Sequence, residues 1–285
     1  MGERDYNTVP STNPLVADCR TRDVTLSDGR TLAYALAGDP DGVPVVVHHG
    51  TPGSRLFAAL LSDAARDVGA RLLVPDRPGY GLSSPPPAGW TWVDWRADCA
   101  ALLEAESIDR VASLGFSGGG PFALALAGDD WTARVGLVSA VVPPFAGGLA
   151  TLARVPVVFR VLFRLFDVVS RVGGPETVVE RYTDRDVDDA VAGAVAADFH
   201  EALRQGARAP ARENRLFATR ALDSTDPSVP VRAWHGTGDT NAPFDPVRTF
   251  VDSVDGTVTT RDADHLGTLL DYRRDALSWL AAGVG

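Results

Sequence analysis

One serine stands in a pattern that is typical of a nucleophile. The segment Gly115-Phe116-Ser117-Gly118-Gly119 fits Gly-x-Ser-x-Gly and follows the apolar run Val111–Leu114. In this pattern a sharp strand-to-helix turn presents the serine hydroxyl at a sheet edge, and glycines flank it because side chains would clash there. The spacing therefore predicts that Ser117 attacks an acyl carbonyl.

A serine hydroxyl is a weak nucleophile, so it requires a histidine as general base and a carboxylate that orients the histidine. Asp239 follows the apolar run ending at His235, and His265 lies in a later loop, which gives the chain order Ser, Asp, His. His48 and His235 end apolar runs and favour a structural role. We therefore predict a catalytic triad of Ser117, Asp239 and His265.

The oxyanion of the reaction needs two backbone N–H donors. In the Gly-x-Ser-x-Gly arrangement one donor is the residue after the nucleophile, here Gly118, and the other comes from the loop after an earlier strand. That loop is His49-Gly50-Thr51-Pro52-Gly53. Because proline has no N–H, Thr51 is the predicted second donor.

These residues need a scaffold of alternating strands and helices. Apolar runs alternate with helical patterns from Arg22 to Val142 and again from Val229 onward, which predicts an α/β fold: a doubly wound, mostly parallel sheet of eight strands. Between them the pattern is helical only. We expect a tail over residues 1–21, a core domain over 22–143 and 229–285, and a helical cap over 144–228, inserted after strand six.

One segment of the predicted cap has an unusually wide apolar surface. Arg160, Arg164, Asp167 and Arg171 form one polar stripe on a helix that is otherwise apolar from Val157 to Val169. The pattern favours a buried helix with one wet face, and the alternative is that its apolar surface roofs a pocket or touches lipid. In the second case Phe159, Phe163 and Phe166 are candidate substrate contacts.

Composition excludes several classes of protein. The 285 residues contain 27 arginines, no lysine and 37 acidic residues, for a net charge of −10, which argues against a nucleic-acid partner. No apolar stretch is long enough for a membrane span, and the polar start lacks the apolar segment of a secretory signal. With only Cys19 and Cys99 present, we expect a cytoplasmic protein.

The motifs together resemble the α/β-hydrolase-fold serine hydrolases that carry a helical cap. The resemblance rests on His49–Gly53, on Asp76-Arg77-Pro78-Gly79-Tyr80-Gly81-Leu82-Ser83, and on Ser117, Asp239 and His265. It implies that Asp76–Ser83 is a structural loop beside the active site. It also implies a carboxylesterase-like enzyme that cleaves a small, largely apolar ester through an acyl-enzyme.

Other functions remain open on the same residues. A prolyl aminopeptidase would need acidic groups in the cap to bind an amine, and four glutamates are available there: Glu176, Glu180, Glu201 and Glu213. Carbon–carbon bond hydrolysis and perhydrolysis would use the same triad. A non-catalytic small-molecule binding protein would keep only the pocket. No metal-ligand or phosphate-loop spacing is present, so we expect no metal and no cofactor.

Overall fold

The computed structural model describes residues 13–144, 153–222 and 227–284. Its centre is one eight-stranded sheet with the strand order β1-β2-β4-β3-β5-β6-β7-β8. The pairings β1–β2 and β2–β4 are antiparallel, and all others are parallel. The strands are β1 (Arg20–Thr25), β2 (Thr31–Gly38), β3 (Val43–His48), β4 (Ala70–Pro75), β5 (Val111–Phe116), β6 (Thr132–Val138), β7 (Val231–Gly236) and β8 (Thr257–Arg261).

This sheet, with a helical insertion after β6, confirms the predicted fold class. All six residues of β5 are buried, as expected for a strand that is covered on both faces of the sheet. This burial explains why β5 is recognisable in the sequence. The described helices are α1 (Pro14–Ala17), α2 (Ser62–Asp67), α3 (Trp95–Ala105), α4 (Gly120–Ala125), α5 (Pro156–Gly173), α6 (Pro175–Val179), α7 (Asp189–Ala202), α8 (Arg208–Thr219), α9 (Phe244–Ser253) and α10 (His265–Ala281).

Packing on the two sheet faces follows the alternation of side chains along each strand. Val45 and Val47 of β3 join the apolar cluster that includes Phe57 and Leu277. Val46, between them, joins the opposite cluster, which includes three tryptophans and Phe122. Because β4, β3, β5, β6, β7 and β8 pair in parallel, their carboxyl ends lie at one edge of the sheet.

Local boundaries differ from the sequence prediction at two places. Within the predicted tail, residues 1–12 lie outside the described part of the chain, but α1 is packed: Val16 is buried, and Asn13 Nδ2 donates to the Ala190 carbonyl at 2.8 Å. The helical pattern of residues 54–68 forms a 3-10 turn, Arg55–Leu60, followed by α2, and not one continuous helix. The cause is Arg55, whose fully buried guanidinium pairs with Asp76 and Glu201.

The insertion after β6, called the cap below, contains α5 to α8. Its helix α5 packs against α6 and α8. Only Phe159 and Ser170 of α5 are buried, while five apolar side chains on one face are exposed. Those five are Val157, Val161, Leu165, Val168 and Val172. The favoured expectation of a buried helix is therefore wrong, because the described helices that α5 packs against, α6 and α8, leave this apolar face uncovered.

No helix within the described residues is both long enough and apolar enough to cross a membrane.

Candidate active site

Ser117 lies at the turn between β5 and α4, at the carboxyl edge of the sheet. It has a φ of 53°, a backbone conformation that is uncommon for a residue with a side chain. A Cβ added to Gly119 would lie 2.1 Å from the His48 carbonyl oxygen, and one added to Gly115 would lie 2.8 Å from the Gly119 carbonyl oxygen. The flanking glycines are therefore required by close backbone packing, and the strained turn leaves Ser117 partly exposed.

Asp239 and His265 meet beside this turn. His265 Nδ1 lies 2.8 Å from Asp239 Oδ2, with both side chains buried. The His265 ring packs against Phe116, the residue before Ser117, with the ring centroids 4.9 Å apart. A carboxylate on Nδ1 places the ring proton there and leaves Nε2 available as a base. The geometry thus brings all three predicted residues to one edge.

The Asp239 carboxylate is held in its charged form. Burial opposes its ionisation, but the His265 ring and the Ala242 N–H outweigh burial and lower the pKa of Asp239 below its usual value. The other carboxylate oxygen accepts from the N–H groups of Asn241 and Ala242 at 2.9 and 3.0 Å. These bonds fix the direction in which the carboxylate faces His265.

The remaining histidines are engaged elsewhere. His48 is buried between Ser113 and Trp95, and His49 contacts the Gly50 carbonyl. Burial lowers the pKa of both rings well below the usual value. His200 lies in the cap against Asp167 at 3.0 Å. These positions agree with structural roles.

His235 is the second ring near Asp239. Its Nε2 lies 3.6 Å from Asp239 Oδ2 but 3.1 Å from the Ala242 carbonyl oxygen. Burial lowers the pKa of His235, against the charge of Asp239, which raises it. His235 therefore packs behind the carboxylate, whereas His265 has the shorter contact with it.

Thr51 and Gly118, the two predicted oxyanion donors, are neighbours in space. A Cβ added to Gly118 would lie 2.2 Å from Thr51 Oγ1 and 3.2 Å from the Thr51 backbone nitrogen. Within the described residues the Thr51 N–H donates to no protein acceptor. An unoccupied N–H beside the Ser117 turn is what an oxyanion site requires.

A buried ion pair holds the Thr51 loop. Arg77 donates to both carboxylate oxygens of Glu213, each at 2.8 Å, and both side chains are fully buried. Glu213 also accepts from the hydroxyls of Thr51 at 2.6 Å and Tyr80 at 2.8 Å. Burial opposes its ionisation, but Arg77 lowers the pKa of Glu213 below the usual value. Glu213 belongs to α8, so this network joins the cap to the core at Thr51, the predicted oxyanion donor.

The Asp76–Ser83 loop supports the same region. Asp76 is fully buried and accepts from the Arg55 N–H at 2.6 Å and the Leu82 N–H at 2.9 Å. A Cβ on Gly81 would lie 2.1 Å from Asp76 Oδ2, so the turn needs glycine. These contacts agree with a structural role for Asp76. Arg77, in the same loop, links the core to the cap through Glu213, and its position in the sequence did not reveal this link.

A small pocket of about 40 Å³ opens at Ser117. A volume of this size holds a few water molecules or a short acyl chain. The core contributes mainly apolar walls, including Phe57, Leu60 and Phe116. The cap contributes Tyr182, Val195, Asp198 and Phe199.

Phe159, Phe163 and Phe166 are not among the residues that line this pocket, contrary to expectation. Phe159 packs against alanines of α8, and the Phe166 ring lies 5.2 Å, between centroids, from the ring of the pocket residue Phe199. The reason is that α7, not α5, is the cap helix that packs on the 3-10 turn Arg55–Leu60.

Two cap residues at the pocket were missed by sequence reasoning. The Tyr182 ring stacks over His265 with the centroids 6.2 Å apart, and its carbonyl accepts from the Leu266 N–H at 2.8 Å. Asp198 accepts from the Ser54 N–H and hydroxyl, both at 2.7 Å. Burial raises the pKa of Asp198 to about 7 despite these hydrogen bonds. The only signal in the sequence was an acid within an alanine-rich helix.

The four cap glutamates do not surround the pocket. Glu213 is committed to Arg77, and Glu201 pairs with Arg55 at 2.7 Å. Glu176 and Glu180 are exposed on the cap surface. Within the described residues, no group of three or more His, Cys, Asp or Glu side chains is arranged to hold a metal ion.

Known proteins share this sequence in part and this fold throughout. Residues 43–160 match the family described as "alpha/beta hydrolase fold". A non-heme chloroperoxidase from Streptomyces lividans is 39% identical over 128 residues, which cover 42% of this chain and 45% of that protein. The match thus spans less than half the length of this curated relative.

Two solved structures extend the similarity to the whole fold. A hydrolase from Pseudomonas aeruginosa has a TM-score of 0.71 over 93% of this chain and 98% of that chain, at 21% identity. The enol-lactonase from Burkholderia xenovorans has a TM-score of 0.70 over 91% and 98%, at 20% identity. With its eight-stranded sheet and its helical insertion after β6, the chain has the α/β hydrolase fold, and residues 43–160 match the family model of that description.

Proposed function

We propose that this protein is a serine hydrolase that cleaves small carboxylic esters through an acyl-enzyme. The observation that carries the proposal is the 2.8 Å contact between His265 and Asp239, next to Ser117 in its strained turn. This arrangement combines nucleophile, base and orienting carboxylate. One solved structure of similar fold is an enol-lactonase, an enzyme that by its name acts on a cyclic ester. This similarity agrees with ester chemistry.

In the first step His265 accepts the Ser117 hydroxyl proton while Oγ bonds to the ester carbonyl carbon. The negative charge that develops on the carbonyl oxygen is stabilised by the N–H groups of Thr51 and Gly118. His265 then donates its proton to the departing alcohol. Water, deprotonated by His265, attacks the acyl-enzyme, and the acid leaves as Ser117 regains its proton.

The pocket favours a short acyl chain. Its volume of about 40 Å³ and its walls of Phe57, Leu60 and Val195 suit an acetyl or propionyl group. Asp198, whose raised pKa keeps part of it protonated near neutral pH, is a hydrogen-bonding group for a polar atom of the substrate.

The test is a panel of nitrophenyl esters from acetate to octanoate, assayed with Ser117→Ala and the exposed-site control Ser253→Ala. We expect hydrolysis that falls as the acyl chain lengthens, is lost in Ser117→Ala and is retained in Ser253→Ala. A fluorophosphonate probe should label the unsubstituted protein and not Ser117→Ala. Absence of both hydrolysis and labelling would instead favour a non-catalytic binding protein.

Perhydrolysis is a second candidate, favoured by the partial match to a non-heme chloroperoxidase. Hydrogen peroxide would replace water, so its oxygen bonds to the acyl carbon, Ser117 Oγ leaves, and a peracid forms. Assays with acetate and hydrogen peroxide should then yield peracetic acid in a Ser117-dependent manner. A peracid yield equal to that of Ser117→Ala would contradict this candidate and leave the esterase proposal intact.

The prolyl-aminopeptidase alternative has less support. An amine-binding site would need free carboxylates at the pocket, and the four glutamates considered for that role lie elsewhere. Among the described residues that line the pocket, Asp198 is the one acid, and its raised pKa weakens its attraction for a cationic amine. Proline nitroanilide should therefore be a poor substrate beside nitrophenyl acetate.

A further inference from the structure

A second, much larger cavity lies at the boundary between core and cap. It has a volume of about 950 Å³ and is bounded by the core loop of residues 79–91 and by the cap helices α5 and α8. None of its lining residues lines the Ser117 pocket. This cavity, the arginine cleft, is therefore separate from the proposed active site.

The charge of the cleft is opposite to that of the protein. Six arginines line it, and among the described lining residues there is no carboxylate. The whole chain carries a net charge of −10, so chance placement would favour acids here. The six are Arg160, Arg164, Arg208, Arg212, Arg215 and Arg220.

Helical spacing explains how these side chains converge. Arg160 and Arg164 are four residues apart on α5, while Arg208, Arg212 and Arg215 follow the same periodicity on α8. Both helices thus turn an arginine face toward the cleft. Only part of the polar stripe on α5 faces the cleft. Asp167 of that stripe pairs with His200 and Arg171, outside the cleft.

Among the residues that the structure describes, no carboxylate lies within ion-pair distance of these cations, and the opposing charge that acts most strongly on Arg212 is that of its neighbour Glu213. Arg212 is the most enclosed: its Nη2 donates to the Pro78 carbonyl at 2.8 Å, but its buried Nε has no acceptor. Burial lowers the pKa of Arg212. Six like charges and an unsatisfied donor are unfavourable unless an anion joins them.

We propose that the arginine cleft is a binding site for a ligand that carries two or more phosphate groups. Guanidinium groups bind phosphate oxygens through paired N–H donors, and several of them together suit a polyanion. The volume is that of a small-molecule site. The source is either a free organic polyphosphate or the phosphates of an anionic lipid surface, since the exposed apolar face of α5 adjoins Arg160 and Arg164.

Sodium tripolyphosphate is the probe, titrated calorimetrically into the full chain at constant ionic strength. We expect saturable 1:1 binding that Arg160→Gln/Arg215→Gln weakens at least tenfold. Neither side chain makes a hydrogen bond within the described residues, so this variant should fold normally. The matched control, Arg248→Gln/Arg274→Gln, removes the same charge from exposed sites and should change affinity less than twofold.

Further arms identify the source and guard against general charge effects. Phosphatidylglycerol vesicles that bind in a cleft-dependent manner, with no tripolyphosphate binding, would assign the site to lipid phosphate. No saturable binding of either probe would overturn the proposal. Equal weakening by the two double variants, or citrate binding as tightly as tripolyphosphate, would overturn it too. Ser117→Ala should bind the probe unchanged, because the site is independent of the proposed esterase.

Discussion

Two cavities at the core–cap boundary differ in almost every physical property. The Ser117 pocket measures about 40 Å³, has mostly apolar walls and contains one acid of raised pKa. The arginine cleft measures about 950 Å³ and is strongly cationic. The buried pair of Arg77 and Glu213 is near both: Glu213 bonds to Thr51, which lines the pocket, and follows Arg212, which lines the cleft.

The difference shows how each cavity is made. Loops at the carboxyl ends of parallel strands build the side of the pocket that contains Ser117, and their positions follow from the sheet. Faces of two cap helices build most of the cleft, and their positions follow from how the cap packs. The proposed catalytic residues are thus placed by the core, whereas the arginines of the cleft are placed by the helices of the cap.

The largest expected effect is a loss of activity at the Ser117 pocket with no change of binding at the arginine cleft. Replacing Ser117→Ala should lower kcat by about 10⁶-fold, as loss of the nucleophile does in a serine protease. It should leave tripolyphosphate affinity of the cleft unchanged. The measurement is steady-state hydrolysis of nitrophenyl acetate beside calorimetry of the same preparation, and residual activity above 1% would remove Ser117 from its assigned role.

The buried pair near both cavities is the next target. Glu213→Gln should lower the free energy of unfolding by about 3–5 kcal/mol, because it leaves the Arg77 charge buried without its partner. Activity should fall as well, since Glu213 holds the Thr51 hydroxyl.

Urea unfolding measures the stability change of Glu213→Gln, and Arg248→Gln is the control. Arg248 pairs with Asp252 at 3.8 Å with both side chains exposed, so its loss should cost less than about 1 kcal/mol. Equal effects of the two substitutions would show that the buried network does not brace the oxyanion loop.

Asp198 makes the pocket sensitive to pH. The native state holds its proton up to about pH 7, whereas an unfolded aspartate loses it near pH 4. Between these values the unfolded state binds fewer protons, so this group lowers stability as pH rises. We compare the free energy of unfolding of Asp198→Asn with that of the unsubstituted protein. Between pH 5 and pH 8 this difference should rise by about 3 kcal/mol in favour of the variant, at about 1.4 kcal/mol per pKa unit.

Urea unfolding of both proteins across this range measures the gain, since the other titrating groups cancel in the difference. Parallel stability curves would show that Asp198 titrates normally. The arginine cleft contains no acid among its described lining residues. Arg160→Gln/Arg215→Gln should therefore leave the shape of the curve of unfolding free energy against pH unaltered.

The smallest effect concerns the oxyanion site. A methyl group at position 118 would collide with Thr51, so Gly118→Ala should displace the Thr51 N–H and lower kcat by about 100-fold, the loss typical of one oxyanion donor. Adding Thr51→Gly removes the colliding side chain and keeps the N–H. The double variant should therefore recover activity, and a double variant as slow as Gly118→Ala would contradict this assignment.

Much of the core was predictable because its signals are local. Continuous apolar runs identified the buried strands, and the Ser, Asp, His order followed from motifs next to strand ends. The missing N–H of Pro52 indicates Thr51 as the second oxyanion donor, and that role stays a prediction. Arg77 was not predictable: its charge suggested a surface residue, and only the packing of α8 onto the core loops buries it against Glu213.

The cap shows where local signals fail. Phe159, Phe163 and Phe166 have the composition expected of a pocket wall, yet α7 rather than α5 faces Ser117. Periodicity gives the face of a helix that is apolar but not the neighbour that this face meets. The length and direction of the connections decide that neighbour.

The sequence by itself determined the fold class, the alternation that aligns strand ends, and the three residues that the sheet brings together. It also determined that every basic group is an arginine. Only the tertiary structure decided which cap residues meet the pocket, that Glu213 is buried behind Thr51, and that six arginines share one cleft. Strand patterns are specified by neighbours along the chain, whereas the meeting of distant helix faces depends on the packing of the whole molecule.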